Sequence, residues 1–461
     1  MTPFCPAYPA PRKSRASTLL MFFSARHSWL DALYERSYAM HMGEVHLPGL
    51  DLYMVNDPAL VRRVMQDEAD NFPKSPLLGE ALKPLLGESI FTTNGAQWQR
   101  QRRMMNPAFE QARLQVAFPK MREATADMLE RLARLPDGAE YDLEVEMTHV
   151  TADIIFRTIF STPMRGEDAR RIFEAFARFQ ALAPRLLLPS IYGVRWLVFP
   201  WDAWRSRRAA REIRGLLEKL IRPRFEAHRV GRPGGETDIL QAFMDARDEA
   251  TGQPFGFDEL VDQVAMLFLA GHETSASALT WAAHLLAHSP HIQDRMVAEH
   301  RDVIGAREPA AGDMKQLTLT WNVFRETLRL FPPVGFMARQ ATQGCPMRKK
   351  QVEAGSTIVV APWLIQRHRE IWPQPDAFDP DRYEDEASRE PLRRGYLPFG
   401  MGPRVCLGAA FALQEAALIL SSLVRHHRLT PVPGHEPRPV GRLTIRSANG
   451  VRLQLHRRAA A

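Results

Sequence analysis

The chain has 461 residues, 45% hydrophobic and 25% charged, with a formal net charge of +7; this is enough apolar material for a buried core and an ordinary charge content for a globular protein. Its three cysteines, Cys5, Cys345 and Cys406, are far apart, which excludes a disulfide framework and a clustered-cysteine zinc site. The basic residues are spread along the chain without a localised block or a nucleic-acid motif, so nucleic acid is not an expected partner.

Residues 1–25, beginning "MTPFCPAYPAPRKSRAS", read as a flexible N-terminal segment. The apolar run Leu19 to Phe23 follows basic residues, but it is too short for a signal-peptide core or a bilayer span. No transmembrane anchor and a cytoplasmic location are therefore expected. Residues 26–461 read as one domain, because the Gly/Pro clusters "RLPDGAEYD", "GRPGGETD", "TGQPFGFD" and "IGAREPAAGD" are short and separate helical patterns as loops do. In chain order, "EVHLPGLDLYMV" predicts strand. "LVRRVMQDEADNF", "KMREATADMLERLARL", "RIFEAFARFQALA" and "AAREIRGLLEKLIRPRFEAH" carry helical i, i+3, i+4 apolar spacing. A long helix is predicted over 258–288, roughly 45 Å at 1.5 Å per residue, and its middle is apolar on nearly every face, as a buried helix requires. "NVFRETLRLF" is a further helix, stopped by Pro332 and Pro333. "STIVVAP" and "RLTIRSANGVRLQLHR" are strand-like. The fold class is mainly α with a small β part.

The loop "FGMGPRVCLG", Phe399 to Gly408, precedes the apolar helix "AAFALQEAALILSSLV". Three readings of Cys406 compete: a small buried hydrophobe, a nucleophile that needs a histidine base, and a metal ligand. The surroundings favour the ligand. A helix N-terminus offers free N–H groups and partial positive charge, which suit a thiolate. Gly400, Gly402 and Gly408 allow sharp turning and close backbone approach, and Arg404 can reach an anionic group beside the metal. One thiolate with no second protein ligand suggests iron held by a macrocycle.

The pattern Phe399-x-x-Gly402-x-Arg404-x-Cys406-x-Gly408 resembles the haem-binding signature of the cytochrome P450 family, and further matches extend from about Leu30 to the C-terminus. The resemblance implies a triangular helical prism around a buried haem b (iron protoporphyrin IX), with Cys406 as the iron's thiolate ligand. It implies that Glu326 and Arg329, one helical turn apart, form a structural charged clamp with Arg382 of "FDPDRY". It implies that Gly271, Glu273 and Thr274, in "AGHET", serve oxygen activation, with Glu273 and Thr274 as an acid–alcohol pair. His272 is an unusual polar occupant of that stretch. Trp98 and Arg102, four apart on an early helix, with Arg339 and Arg404, are implied to hold the haem carboxylates.

The implied activity is insertion of one atom of O2 into a hydrophobic small molecule of fatty-acid, terpenoid or steroid-like type. No flavin, nicotinamide or iron–sulfur motif is present in the chain. Electrons from NAD(P)H would therefore arrive through a reductase and an acidic ferredoxin or flavodoxin, docking near Arg103, Arg393 and Arg394. A monomer is expected. The candidate substrate pocket comprises Leu77, Leu78, Leu82, Val334, Phe336 and Met337. A peroxide-driven peroxygenase and a non-catalytic haem sensor are the alternatives; the acid–alcohol pair argues against both.

Overall fold

A computed structural model describes residues 3–13, 28–47, 50–165, 167–191, 199–232 and 234–459. Its main helices are α1 Pro76–Leu86, α2 Gly95–Met105, α3 Gln111–Ala133, α4 Leu143–Phe160, α5 Glu167–Ile191, α6 Pro200–Arg229, α7 Phe257–Ala287, α8 Pro290–Val303, α9 Thr318–Leu330 and α10 Ala409–His426. The strands are short and scattered along the sequence. β1 (Met42–Leu47), β2 (Leu50–Val55), β7 (Thr357–Val360) and β4 (Met337–Gln340) form one sheet in that order, with β2 and β7 parallel. β3 (Ala139–Asp142), β11 (Arg452–Arg457) and β8 (His427–Pro431) form a second, and β5 (Cys345–Met347) with β6 (Lys350–Val352) and β9 (Pro439–Gly441) with β10 (Ile445–Ser447) form two hairpins.

The axis of the molecule is α7. Asp258 and Glu259 in its first turn complement the positive end of the helix dipole, and from Leu260 onward nearly every side chain is buried. It runs against α4 along much of its length and also meets α1, α6, α9 and α10. Its C-terminal half is pinned to β10, where the Ile445 carbonyl accepts from Ser277 Oγ (2.7 Å) and Trp281 Nε1 (2.9 Å).

Two departures from the sequence expectation have physical causes. "LVRRVMQDEADNF" is not one regular helix: Pro58–Arg62 is α-helical, then Arg63–Asp67 widens into a π turn. That turn lies against the cysteine loop, where any side chain at Gly402 would run into the Met65 backbone. Local π turns of this kind often accompany functional sites. Within the expected flexible segment 1–25, residues 3–13 pack on the body of the protein. Phe4 stacks on His288 at 4.2 Å, the Phe4 carbonyl accepts from Phe378 N–H (2.8 Å), and Tyr8 OH donates to Asp376 (3.2 Å). Residues 14–25 lie outside the described residues. Among the described residues no helix is long and apolar enough to cross a membrane.

Candidate active site

Cys406 sits in a loop closed on itself: its N–H donates to the Phe399 carbonyl (2.9 Å), and Val405 N–H to Gly402 O (3.1 Å). Gly400 and Gly402 have φ of 70° and 69°, the left-handed region that other residues seldom adopt. Gly408 is the N-cap of α10. Cys406 is exposed to solvent, although protein atoms crowd the space around its sulfur. Burial pushes its pKa up, opposed by a hydrogen bond from the Gly408 backbone and by the charge of Arg102.

Around this loop stands a group of cations that form no ion pair among the described residues; the charge of opposite sign acting on Arg404 is that of Asp70. Trp98 and Arg102 come from α2; the Arg102 guanidinium donates to Val405 O (2.9 Å), beside the cysteine. Arg404 lies over the Trp98 ring at 4.8 Å and donates to Ala69 O (2.8 Å), while its Nε is buried without a partner. Arg339, on β4, is buried; burial and the nearby Arg404 push its pKa down to about 10. The fourth cation, Lys74, had no motif to mark it. A β-bridge pairs its backbone with that of Arg339, and Asn94 brackets it by accepting from its N–H and donating to its carbonyl, both at 3.0 Å. The ammonium donates to Ile90 O (2.6 Å), and burial, then Arg404 and Arg339, push its pKa down to about 7. Among the described residues no carboxylate forms an ion pair with Lys74, Arg102, Arg339 or Arg404. Cations held this close together favour an anion. A thiol at a helix start, a loop turned by glycines and an orphaned guanidinium nitrogen form a donor set that fits a flat metal macrocycle with carboxylate tails.

On α7, Thr274 Oγ1 donates to the Ala270 carbonyl (2.7 Å), the back-bond usual for a mid-helix threonine. Ala270, Gly271 and Thr274 are only partly covered, within a stretch otherwise buried. A side chain at Gly271 would come within 3.1 Å of Ile155, so the glycine also serves close packing of α7 on α4. The Glu273 carboxylate turns to the β9–β10 hairpin, where it accepts from Thr444 Oγ1 (2.6 Å) and from Arg446 (2.6 and 3.1 Å). Burial alone would raise its pKa; Arg446 outweighs that and brings it to about 2. Arg446 also pairs with Glu144 at 3.3 Å. Sequence reasoning missed Arg446, because nothing in "RLTIRSANG" signals its partner 173 residues away. His272 is a satisfied core histidine: Nδ1 donates to Phe268 O (2.5 Å) and Nε2 accepts from the Gln180 amide (3.2 Å).

The clamp residues meet with no exposed surface on Glu326 or Arg329. Arg329 binds both Glu326 oxygens (2.9 and 2.8 Å) and three backbone carbonyls, of Gln366, Pro375 and Ala377. Arg382 reaches Glu326 at 3.3 Å. The pocket candidates are less unified. Leu82 is buried on α1 and Leu77 is half-buried, whereas Val334 is exposed; the side chain of Leu78 lies outside the described residues. Phe336 packs edge-on against Trp29 at 5.3 Å. Met337 lies against Gly400 and joins the smaller apolar cluster with Met65, which puts it on the cysteine-loop side. Arg103, Arg393 and Arg394 are exposed, but Arg103 pairs with Asp248 and the other two with Glu390.

A family model described as Cytochrome P450 matches residues 23–450. Among curated proteins, the chain is 33% identical over 409 residues to cyclooctatin synthase of Streptomyces melanosporofaciens, covering 87% of this chain and 86% of that protein. It is 31% identical over 404 residues to pentalenene oxygenase of Streptomyces avermitilis, covering 87% of each. It is also 31% identical over 399 residues to cyclooctat-9-en-7-ol 5-monooxygenase of Streptomyces melanosporofaciens, covering 85% and 83%.

Proposed function

The chain belongs to the cytochrome P450 family of haem-thiolate monooxygenases, and from that premise we propose that it uses haem b to insert one oxygen atom of O2 into a terpenoid substrate, with electrons from NAD(P)H through separate redox proteins. The three relatives, named for cyclooctatin, pentalenene and cyclooctat-9-en-7-ol, support the substrate class. The observation that carries the site is Cys406 at the head of α10 among cations that form no ion pair with a carboxylate of the described residues.

Cys406 would be the iron's ligand and would lose its proton on binding, since the thiolate is the ligating form. Lys74, Arg102, Arg339 and Arg404 would hold the carboxylate tails, and the Trp98 face, which Arg404 covers, keeps that guanidinium in place. A bound haem would supply the activation of dioxygen, and thiolate ligation by Cys406 would favour O–O cleavage. Thr274 carries an exchangeable proton at Oγ1, held on the Ala270 carbonyl, and would have to release that carbonyl to offer it to the site. Glu273 is kept ionised by Arg446 and Thr444, so a proton passed along this path enters from outside and is not stored on Glu273. Apolar residues such as Leu82 exclude water from the substrate side.

The test is an absorbance spectrum of the reduced protein with carbon monoxide, followed by ligand titration and turnover with terpenoid hydrocarbons in the presence of a ferredoxin and its reductase. A strongly red-shifted Soret band, absent in Cys406→Ser, and substrate-dependent NAD(P)H oxidation with a hydroxylated product are expected. A histidine-like carbonyl spectrum overturns the thiolate assignment. A normal spectrum with turnover of fatty acids and none of terpenoids overturns the substrate class.

A further inference from the structure

Two glycines far apart in the sequence are kept small by one indole. Gly335 comes just after the prolines that end α9, and Gly441 closes β9. Neither has a backbone φ in the left-handed region, so chain conformation does not call for glycine at either place. Trp29 does. It is buried at the start of the 3-10 turn Trp29–Ala32. A methyl at Gly335 would collide with the outer edge of the six-membered ring, and one at Gly441 with the five-membered ring. The corner is also closed by polar contacts: Ser28 Oγ accepts from Gly441 N–H (2.9 Å), and Gly335 O accepts from Trp363 N–H (3.3 Å). Phe336 meets the indole edge-on with ring centroids 5.3 Å apart, an arrangement that the ring quadrupoles favour.

The two segments that Trp29 separates converge on α7. Pro333 O accepts from Ile445 N–H (3.0 Å), and Ile445 O in turn accepts from Ser277 and Trp281 of α7. Ser277 lies about one turn beyond Thr274. In the other direction Met337, next after Phe336, lies against Gly400 of the cysteine loop. Residues 335–337 thus run from the junction of β10 with α7 to the cysteine loop. Phe336 and Met337 are partly uncovered there, whereas residues 331–333, 335, 338 and 339 are buried. Uncovered like Ala270, Gly271 and Thr274, these two apolar side chains line a space suited to an apolar ligand. An aliphatic residue at position 29 would fill the corner and yield to movement of either segment. A planar indole wedged between two glycines does not yield, because close-packed groups transmit displacement.

We propose that Trp29 is a positioning residue for substrate selectivity: wedged between Gly335 and Gly441, it fixes how far Phe336 stands out from the β9–β10 hairpin and so limits the width of an apolar substrate lying over Thr274. Given the haem-thiolate reading of the site, Trp29 acts through Phe336 and touches no reacting atom. Loss of the outer edge of the indole lets Phe336 settle toward position 29. That widens the space for a broad ligand and changes little for a narrow one.

The test is titration of the haem-loaded protein with two azoles of different width, imidazole and clotrimazole, followed by the Soret shift that nitrogen ligation produces. Trp29→Phe removes the outer ring edge. Its affinity for clotrimazole relative to imidazole should rise about tenfold over the parent, the size of effect that a methylene or two carries in an apolar pocket. Trp29→Leu, a second removal of that edge, should act in the same direction. Phe336→Leu, with the indole in place, should also raise the ratio, and Trp29→Phe/Phe336→Leu should raise it by less than the product of the two. A methyl can occupy the vacated edge, so Trp29→Phe/Gly335→Ala should return the ratio toward the parent's, whereas Gly335→Ala alone should lower the melting temperature. A residue that only fills space would move the melting temperatures of these variants and leave the ratio unchanged. That result, a ratio unmoved in Phe336→Leu, or single effects that simply multiply, overturns the proposal. If the parent's reduced carbonyl complex lacks the thiolate-type Soret band, the haem-thiolate reading falls and the proposal with it; with that band present and the ratio unmoved, the proposal alone falls.

Discussion

Glu273 and Glu415 are both buried, but they are held in opposite charge states. Burial raises the Glu415 pKa to about 8, with a hydrogen bond from Ser275 opposing the rise. At Glu273 burial acts in the same direction, but Arg446 overcomes it and the pKa falls to about 2. The stability that Glu273 contributes through this shift is therefore present above its ordinary pKa of 4.5 and is lost as pH falls from 4.5 toward 2. Arg446→Met removes the main partner and leaves only Thr444 and His272 to oppose burial, so the sign reverses: the carboxyl pKa is then raised, and stability falls as pH rises above about 4.5. Near neutral pH the variant should lose on the order of 3–5 kcal/mol, the usual cost of an uncompensated buried charge. Denaturant unfolding from pH 4 to 8 checks this. A variant whose stability is flat across that range would mean that Thr444 and water suffice to hold the carboxylate. The sequence placed Glu273 beside Thr274 in an apolar helix but held no sign of its counter-ion. A lone arginine in a C-terminal strand looks like any solvated cation until the fold carries it to α7.

At the scale of elements, three helices are tied by one polar knot. Arg214 on α6 donates to Asp262 on α7 (2.6 Å) and to Leu85 O at the end of α1 (3.1 Å). Asp262 also accepts from Glu88 N–H (2.8 Å), and Gln263 Oε1 from Ile90 N–H (3.0 Å). A side chain at Gly87 would collide with the Asp262 carboxylate, so the turn after α1 is shaped to the knot. Beyond its apolar contacts with α6 and α7, α1 is held there by backbone groups that depend on these two side chains. Arg214→Met should therefore speed amide hydrogen exchange over residues 76–90 about tenfold or more while leaving the middle of α7 unchanged, since local opening follows the loss of local partners. Association and dissociation of an apolar ligand should quicken together, with less change in affinity. Unchanged exchange over 76–90 would show that apolar packing alone holds α1. Here the sequence was legible where periodicity was strong: α7 was expected over 258–288 and spans Phe257–Ala287, and the i, i+3 spacing of Glu326 and Arg329 already put both on one face. The cross-links between helices were not legible. Arg214 sits in a run rich in arginine, and only three-dimensional packing tells it from its solvated neighbours. Lys74 was missed for the same reason, because its role comes from a β-bridge to Arg339 across more than 260 residues.

At the scale of the whole molecule, the N-terminal strap closes over a charge that the core leaves poorly paired. Arg367 is fully buried; its guanidinium nitrogens have no hydrogen-bond partner, and Asp376 is 3.7 Å away. Trp363 lies 3.9 Å from the guanidinium carbon, and Tyr8 of the strap lies 5.3 Å from it. The sequence of residues 3–13 has no periodicity, because proline-rich extended chain carries none. Its order comes from distant partners, His288, Phe378 and Asp376. Removing residues 1–13 has two opposing effects. The loss of Phe4 and Tyr8 packing costs on the order of 2–4 kcal/mol. The return of water to the buried guanidinium offsets part of that, since an unpartnered buried polar group costs roughly 1–3 kcal/mol. In the parent the truncation should therefore destabilise by less than the packing loss alone. Arg367→Met removes the offset: in the full chain it should be neutral or stabilising, as apolar replacement of a poorly paired buried charge often is, and in its background the same truncation should cost more. Four unfolding curves complete the cycle. If the truncation costs the same in both backgrounds, the strap holds the fold by packing alone, and the hydration of Arg367 has no part in the balance.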